Sequence, residues 1–572
     1  MLSSDQHRHM NRRQAIIKAN TLLAGVIIGS NQFVKGIGLP LLQLGKAEQR
    51  PDTYFLQNAV IRGLNAIAAR LDPEQDFRPF FEIHCSPKPY LEHSIWDLGD
   101  MCARFTDAFI LGREMTGFDG FKQEEHALSN LLRSCDPYAN PFMAGRMLIT
   151  YVDQYLDKPN DENKKYIDDL VGLISSKMTY EKDYAYYFRH PDGWKTVNDA
   201  VFGDFNPYPT FPIGGVILGL SRYTEVVDAP QSEDLLNKLC RFVLNVSGTF
   251  EADGRFLGHT HSGGILTAAA GIMRWAIRHH DHITVTQMKN VFDWTMKYSS
   301  SWGWVPDGLG PDNASCESCS ITDAIHLGIL IANHLDISYY GIIERFARNQ
   351  LLENQFRNPE WMLPKTPFAD KTKITKALNG SWASWSLPNS LDNSVSVEGC
   401  CLGNGIRGCF LVWEHIVSKQ NDIVMVNMAL SRNSPWVEVI GYQPYEGRVD
   451  IIIHDAPQLQ IRIPEWVGEH ELVVSTGGKE VNFTFLPNRY IELKGLKKGD
   501  CLRLDYPLQR KQAVEKVSGE TYQICWRGDT VVSMAPVGKK YRLFERSWME
   551  NPHTPMRGNY CFEKQLGGPV HW

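Results

Sequence analysis

The hydrophobic period of this chain changes once along its length, and that change limits the folds open to it. From about residue 52 to 420, apolar residues recur at spacings of three and four, as in Ala59–Arg70, Met101–Gly112, Leu235–Asn245 and Ile265–His279. Gly/Pro/Asp stretches such as HPDGW and WGWVPDGLGPDN separate these segments. From about residue 423 the period is two, and VEVIGY, VDIIIH, LQIRIP, ELVVST, YIELKG, CLRLDYP and TVVSMAP are short runs between turn signals. At about 30 residues per helix and loop, the first pattern predicts on the order of twelve helices. The second predicts a β-sandwich. No repeat runs through the helical part, which disfavours a regular solenoid. The chain therefore reads as multidomain α + β, with a helical domain over 31–422 and a β-sandwich over 423–572.

Residues 1–30 read as an export signal. Asn11-Arg12-Arg13-Gln14 precedes an apolar run from Ala15 to Ile28, interrupted by Lys18, Asn20 and Thr21. That is the pattern of a twin-arginine leader, with an uncleaved membrane anchor as the alternative. The leader reading implies a periplasmic or extracellular protein, exported already folded. Nothing later in the sequence is long and apolar enough to span a membrane. A net charge of -6, with no basic run beyond the N-terminal region, argues against nucleic acid as a partner. Twelve cysteines in 572 residues do not make a disulfide scaffold. Cys102, Cys135 and Cys240 lie in or beside apolar helical contexts and read as core thiols.

Two stretches stand apart from this background: CESCSITD, with Glu317 and Cys319, and EGCCLGNGIRGC, with adjacent Cys400 and Cys401. Adjacent side chains on a strand point to opposite faces, so both thiols reach one ion only where the backbone turns. Gly399 and Gly403 permit such a turn, and Asn404 sits where an N-cap would. Ile406, Phe410, Trp413 and Val417 then recur at helical spacing. This places the cysteine pair on a loop leading into a buried helix. Arg407 in that helix's first turn opposes the dipole, so it is either solvated or held by an anion. A thiolate-rich set selects zinc over calcium or magnesium. Spacing alone favours a structural four-cysteine site of Cys316, Cys319, Cys400 and Cys401, with Glu317 an ordinary exposed acid. The alternative shell is Glu317, Cys319, Cys400 and Cys401.

Glu-x-Cys followed by Cys-Cys-x-x-Asn-x-x-Arg, here Glu317, Cys319, Cys400, Cys401, Asn404 and Arg407, resembles glycoside hydrolase family 127, the β-L-arabinofuranosidases and relatives. HSGGILTAAAGIMRWAIRHHD resembles the family's His-led helix and puts His261 at the substrate, with Gly271 and Arg274 at matching helix positions. GIIERFARNQ resembles its Glu-Arg-x-x-x-Asn helix, giving Glu344 and Asn349, and IRIPEW resembles its β-domain. WDLGDMCARF adds Trp96 and Asp97. The resemblance covers about four-fifths of the chain.

It implies an (α/α)6 barrel before the β-sandwich, and a zinc ion held by Glu317, Cys319, Cys400 and Cys401 with Cys316 a bystander. It also implies a retaining reaction on a terminal sugar of an oligo- or polysaccharide, by default β-L-arabinofuranose of a plant-type glycan. Cys400 would be the nucleophile and Glu317 the general acid, then base. His261, Glu344, Arg407, Trp96 and Asp97 would contact the sugar. Two departures stand out: Leu402 and Gly403 follow the cysteine pair where relatives have proline, and Ile213–Gly214 replaces a family histidine. The rival readings are a zinc-stapled glycan-binding protein without catalysis, and an (α/α)6 hydrolase or lyase whose zinc is structural.

Overall fold

The computed structural model describes residues 49–139, 142–187, 210–256, 261–309, 315–551, 553–558 and 570–572. The leader expected over residues 1–30 lies outside them, as does the HPDGW loop. Gln49–Trp572 forms one compact unit.

The helical half is a double ring. Outer helix α1 (Leu56–Ala69) precedes inner α2 (Leu98–Thr116), and the chain alternates from there. The remaining inner helices are α4 (Met143–Asp157), α6 (Thr210–Val226), α8 (Ser262–Arg278), α10 (Ser318–His334) and α13 (Gly399–Ile416). Between them run outer helices α3 (Lys122–Ser134), α5 (Asp161–Ser176), α7 (Pro230–Asn245), α9 (His282–Met296) and α11 (Tyr339–Phe346); a short α12 (Lys371–Leu378) packs on α1. Each inner helix packs on the next, α2 on α4, α6, α8, α10 and α13 in turn, and α13 returns to α2. This closed ring is the (α/α)6 barrel that the resemblance implies. The sequence separates the two layers: α10 is buried continuously from Ser318 to Ala332, whereas α3 buries only Leu128, Ser129 and Leu132. Small residues let the inner helices approach, and a Cβ on Gly271 would lie 2.7 Å from the backbone nitrogen of Leu218 on α6.

Helix α13 runs straight into a strand at Val417, six residues before the alternation becomes legible, because Lys419 and Gln420 are both exposed. The β-half has a five-stranded sheet, ordered Thr484–Phe485, Tyr490–Lys494, Gln458–Arg462, Ile423–Val426, Val417–Gln420. A six-stranded sheet is ordered Arg432–Asn433, Val437–Gly441, Arg448–Ile453, Cys501–Asp505, Val473–Thr476, Lys479–Glu480. Leu459 and Ile491 of the first share one core with Ile451 and Leu502 of the second. Three antiparallel strands, Arg510–Val517, Glu520–Arg527 and Thr530–Ala535, form a further sheet.

The two halves are joined by buried charge. Glu344, at the end of α11, accepts from Arg348 Nη2 at 2.7 Å, from Arg462 Nη2 at 2.5 Å and from the Ala429 amide at 3.2 Å. Asn349 donates to the Asp529 carbonyl at 3.0 Å and accepts from the Val531 amide at 2.9 Å. Trp466 Nε1 donates to Asp529 Oδ2 at 3.2 Å. The Glu-Arg-x-x-x-Asn and IRIPEW stretches are thus two sides of one junction.

Candidate active site

The functional groups gather where inner helices begin. Asp97, His261, Glu317 and Glu398 are the N-cap residues of α2, α8, α10 and α13, and none uses its side chain to cap its own helix. Cys319 lies in the first turn of α10, and Cys400 and Cys401 lie in the first turn of α13. Unsatisfied amides and the positive dipole end favour anionic groups in such a place, thiolates included.

The cysteine pair is therefore helical and not on a loop. Adjacent helical side chains lie about 100° apart, so both thiols reach inward without any turn. The glycines serve packing: a Cβ on Gly403 would lie 2.8 Å from Arg104 Cβ, and one on Gly405 would lie 2.2 Å from the Trp382 ring. Asn404 is one turn inside α13 and fully buried, so it is no N-cap.

Cys319 Sγ is 3.7 Å from Cys401 Sγ, and Cys401 Sγ is 3.9 Å from Cys400 Sγ. Glu317 Oε1 lies 3.4 Å from both Cys400 and Cys401. A tetrahedral zinc with bonds of about 2.3 Å to sulfur and about 2.0 Å to oxygen sets S···S near 3.8 Å and S···O near 3.5 Å. These four separations match such an ion, all four donors lie within 4.8 Å of one another, and the sulfurs are too far apart for disulfides. Cys316 faces away, its thiol near the Glu317 carbonyl at 3.5 Å, so the four-cysteine set favoured by spacing is not assembled.

Charge around the donors is uneven. Burial works against ionisation of Cys319, but hydrogen bonds from Cys400 and Cys401 and the Arg104 guanidinium hold its thiol well below the ordinary value. Cys400 is held above it, chiefly by the hydrogen bonds to Cys319 and Cys401. Arg104 is itself fixed by Asp100 at 2.8 Å. Burial opposes a charged His261, yet Glu317 and Asp307 raise it to about 10. Its Nε2 is 2.5 Å from Glu317 Oε2 and its Nδ1 is 3.5 Å from Asp307 Oδ1. Asp307 is pushed up by burial, against the pull of His261.

The solvent side is built by a small sheet of β1 (Glu82–His84), β2 (Tyr90–Glu92) and β3 (Ser396–Glu398). Glu82 pairs with Glu92 on one side and Glu398 on the other, so three carboxylates share a row. His84 Nε2 lies 2.6 Å from Glu92 and 3.4 Å from Glu82. Glu398 Oε2 is 3.4 Å from Cys400 Sγ, and burial, then the Glu317 charge, lifts its carboxyl to about 8. Cys400 keeps 8% of its surface exposed and His261 is half-buried, whereas Cys401 is sealed.

The structure brings Glu317, Cys319, Cys400, Cys401 and His261 together. Asp97 lies at the same barrel end, where its carboxylate accepts from Ser94 Oγ at 2.8 Å, and neighbouring Trp96 is exposed. Two expected sugar contacts lie elsewhere. Glu344 is fully enclosed by Arg348 and Arg462 at the junction with the β-half, out of reach of a ligand. Arg407 sits two turns down α13, where Asp107 Oδ2 accepts from its Nη2 at 2.6 Å; the anion that holds it is a carboxylate of the barrel. Asp307 and Glu398 were not singled out in the sequence. Glu398, two residues before Cys400, lay within the same stretch, but Asp307 sits in a loop without a pattern of its own.

No family model and no curated sequence matches the chain. Solved structures share the fold. One is a GH127 beta-L-arabinofuranosidase from Geobacillus stearothermophilus T6, with 14% identity and a TM-score of 0.54 over 83% of this chain and 80% of that one. Another, described as a glycoside hydrolase, has 12% identity and a TM-score of 0.57 over 85% and 81%. At this identity the likeness establishes the barrel with its β-rich partner, and the chemistry rests on the residues.

Proposed function

We propose that the protein is a zinc-dependent retaining glycoside hydrolase, working outside the cytoplasm, that releases a terminal sugar, by default β-L-arabinofuranose, from plant-type glycans. The observation that carries this reading is Cys400 itself. It is a buried thiol at a helix N-terminus, in a residue that keeps 8% of its surface exposed, within 3.4 Å of carboxylates on both sides and in a donor set that could hold one ion. Zinc would be held by Glu317, Cys319, Cys400 and Cys401, and when bound it would keep the thiols ionised near neutral pH.

Cys400 Sγ attacks the anomeric carbon; the S–C bond forms as the glycosidic C–O bond breaks. The leaving oxygen takes a proton from the Glu317–His261–Asp307 chain. Glu317 was the acid expected from the sequence, but its Oε1 faces two sulfurs and its Oε2 faces His261. Asp307, 3.5 Å from His261 Nδ1, gives that chain a second carboxyl, so that Glu317 need not act as ligand and acid together. Water then attacks the same carbon, its proton returns to that chain, and the thiolate is released. Two displacements retain the anomeric configuration.

Glycoside turnover and intact mass test this together. With a slowly hydrolysed aryl glycoside, the wild type shows the mass of one sugar residue on the peptide carrying Cys400. Cys400→Ser shows no such mass and loses turnover by about 10^4-fold or more. Full activity in Cys400→Ser ends the nucleophile assignment. Zinc and sugar affinity without release from any glycoside favours the binding-protein reading instead.

A further inference from the structure

The opposite end of the barrel is closed by residues Val570–Trp572, which no part of the reaction uses. Trp572 lies between two guanidiniums, with Arg222 Cζ 3.8 Å from its ring centroid and Arg407 Cζ 4.3 Å. Each guanidinium has its own buried carboxylate: Arg222 pairs with Asp153 at 2.6 Å and Arg407 with Asp107 at 2.6 Å. The His326 ring meets the indole edge-on, with centroids 5.4 Å apart.

The backbone of the tripeptide is held as firmly as the ring. Glu114 Oε1 accepts from the Val570 amide at 3.2 Å, and Glu414 Oε2 accepts from the Trp572 amide at 3.2 Å. His571 Nδ1 meets Glu414 Oε1 at 2.7 Å, and the His571 carbonyl accepts from Arg222 Nη2 at 2.9 Å. Val570 and Trp572 are both buried. Three residues thus contact four inner helices: α2 through Glu114, α6 through Arg222, α10 through His326, and α13 through Arg407 and Glu414.

Without an aromatic ring between them, Arg222 and Arg407 would face each other across a low-dielectric gap. An indole offers both a negative π-face to each cation and enough area to fill the ring's interior. A simple apolar plug would supply only the second. We propose that Val570–Trp572 is a latch that closes the base of the barrel, and that Trp572 works as a cation–π spacer between Arg222 and Arg407. The latch fixes the far ends of the helices that carry Glu317, Cys319 and the cysteine pair.

The test is a set of full-length variants at position 572, read by thermal melting and hydrogen exchange. Trp572→Ala lowers Tm by about 5 °C or more and deprotects the last turns of α6 and α13. Trp572→Phe recovers at least half of the lost Tm, while Trp572→Leu, apolar but without a π-face, does not. Should the alanine variant fail to fold, the Phe and Leu variants carry the comparison alone. A Tm and exchange pattern unchanged by the alanine substitution overturns the latch. Equal melting of the Phe and Leu variants overturns the cation–π role.

Discussion

Glu317 and Glu344 are both buried glutamates, and the family pattern assigns both to the sugar site, yet their surroundings give them different work. Glu344 has a guanidinium on either side and a backbone amide besides, so its charge is compensated within the protein. Glu317 instead faces the Cys400 and Cys401 thiols through one oxygen and His261 through the other, with Cys319 in the same group of donors. A buried acid whose hydrogen-bonding capacity is filled by arginine is a structural tie. One facing thiols at a ring of helix N-termini belongs to a group that could hold a metal ion, the setting in which reactive carboxylates are found.

Exchanging the charge at each position breaks this comparison most sharply. Glu317→Gln removes an anionic donor and should lower turnover by about 10^3-fold or more, with loss of bound metal. Melted in chelator, it should lose only what the ion pair with His261 contributes, much less than Glu344→Ala loses. Glu344→Ala should do the reverse. It leaves Arg348 and Arg462 buried without a counter-charge, at a cost of about 3–5 kcal/mol in stability. Turnover per folded molecule should stay within about twofold of wild type. If Glu344→Ala lost turnover while keeping its stability, the sugar-contact role would be restored.

A smaller effect lies in pH. Burial resists ionisation of Glu344, but Arg348 and Arg462 outweigh it and hold its carboxyl below the usual range. A carboxyl depressed in the folded state contributes stability above its unfolded value of about 4.3, and loses it as pH falls through the folded value. The stability gap between wild type and Glu344→Gln should therefore be full at pH 6 and close progressively below about pH 4. A gap constant down to pH 2 would show that Glu344 is not held by those arginines.

The period change and the two cysteine stretches were legible because each is local: apolar spacing sets the layers, and paired thiols mark a metal. The start of α13 was not. Gly399 and Gly403 look like turn residues in sequence, and only their neighbours Arg104 and Met101 reveal that they admit close packing. Glu344 and Arg407 went to the site by pattern because a motif position carries no record of its partner. Those partners, Arg462 and Asp107, lie 118 and 300 residues away. Asp307 was missed for the same reason, since its meaning depends on His261, distant in sequence but bridged to the neighbouring Gly308.

X-ray absorption at the zinc edge of the purified protein addresses the central claim most directly. The account predicts one zinc per chain with three sulfur neighbours at about 2.3 Å and one oxygen at about 2.0 Å, and Cys316→Ser leaves that shell unchanged. A shell of four sulfurs that loses one in Cys316→Ser, or zinc retained in Cys319→Ser, would contradict it.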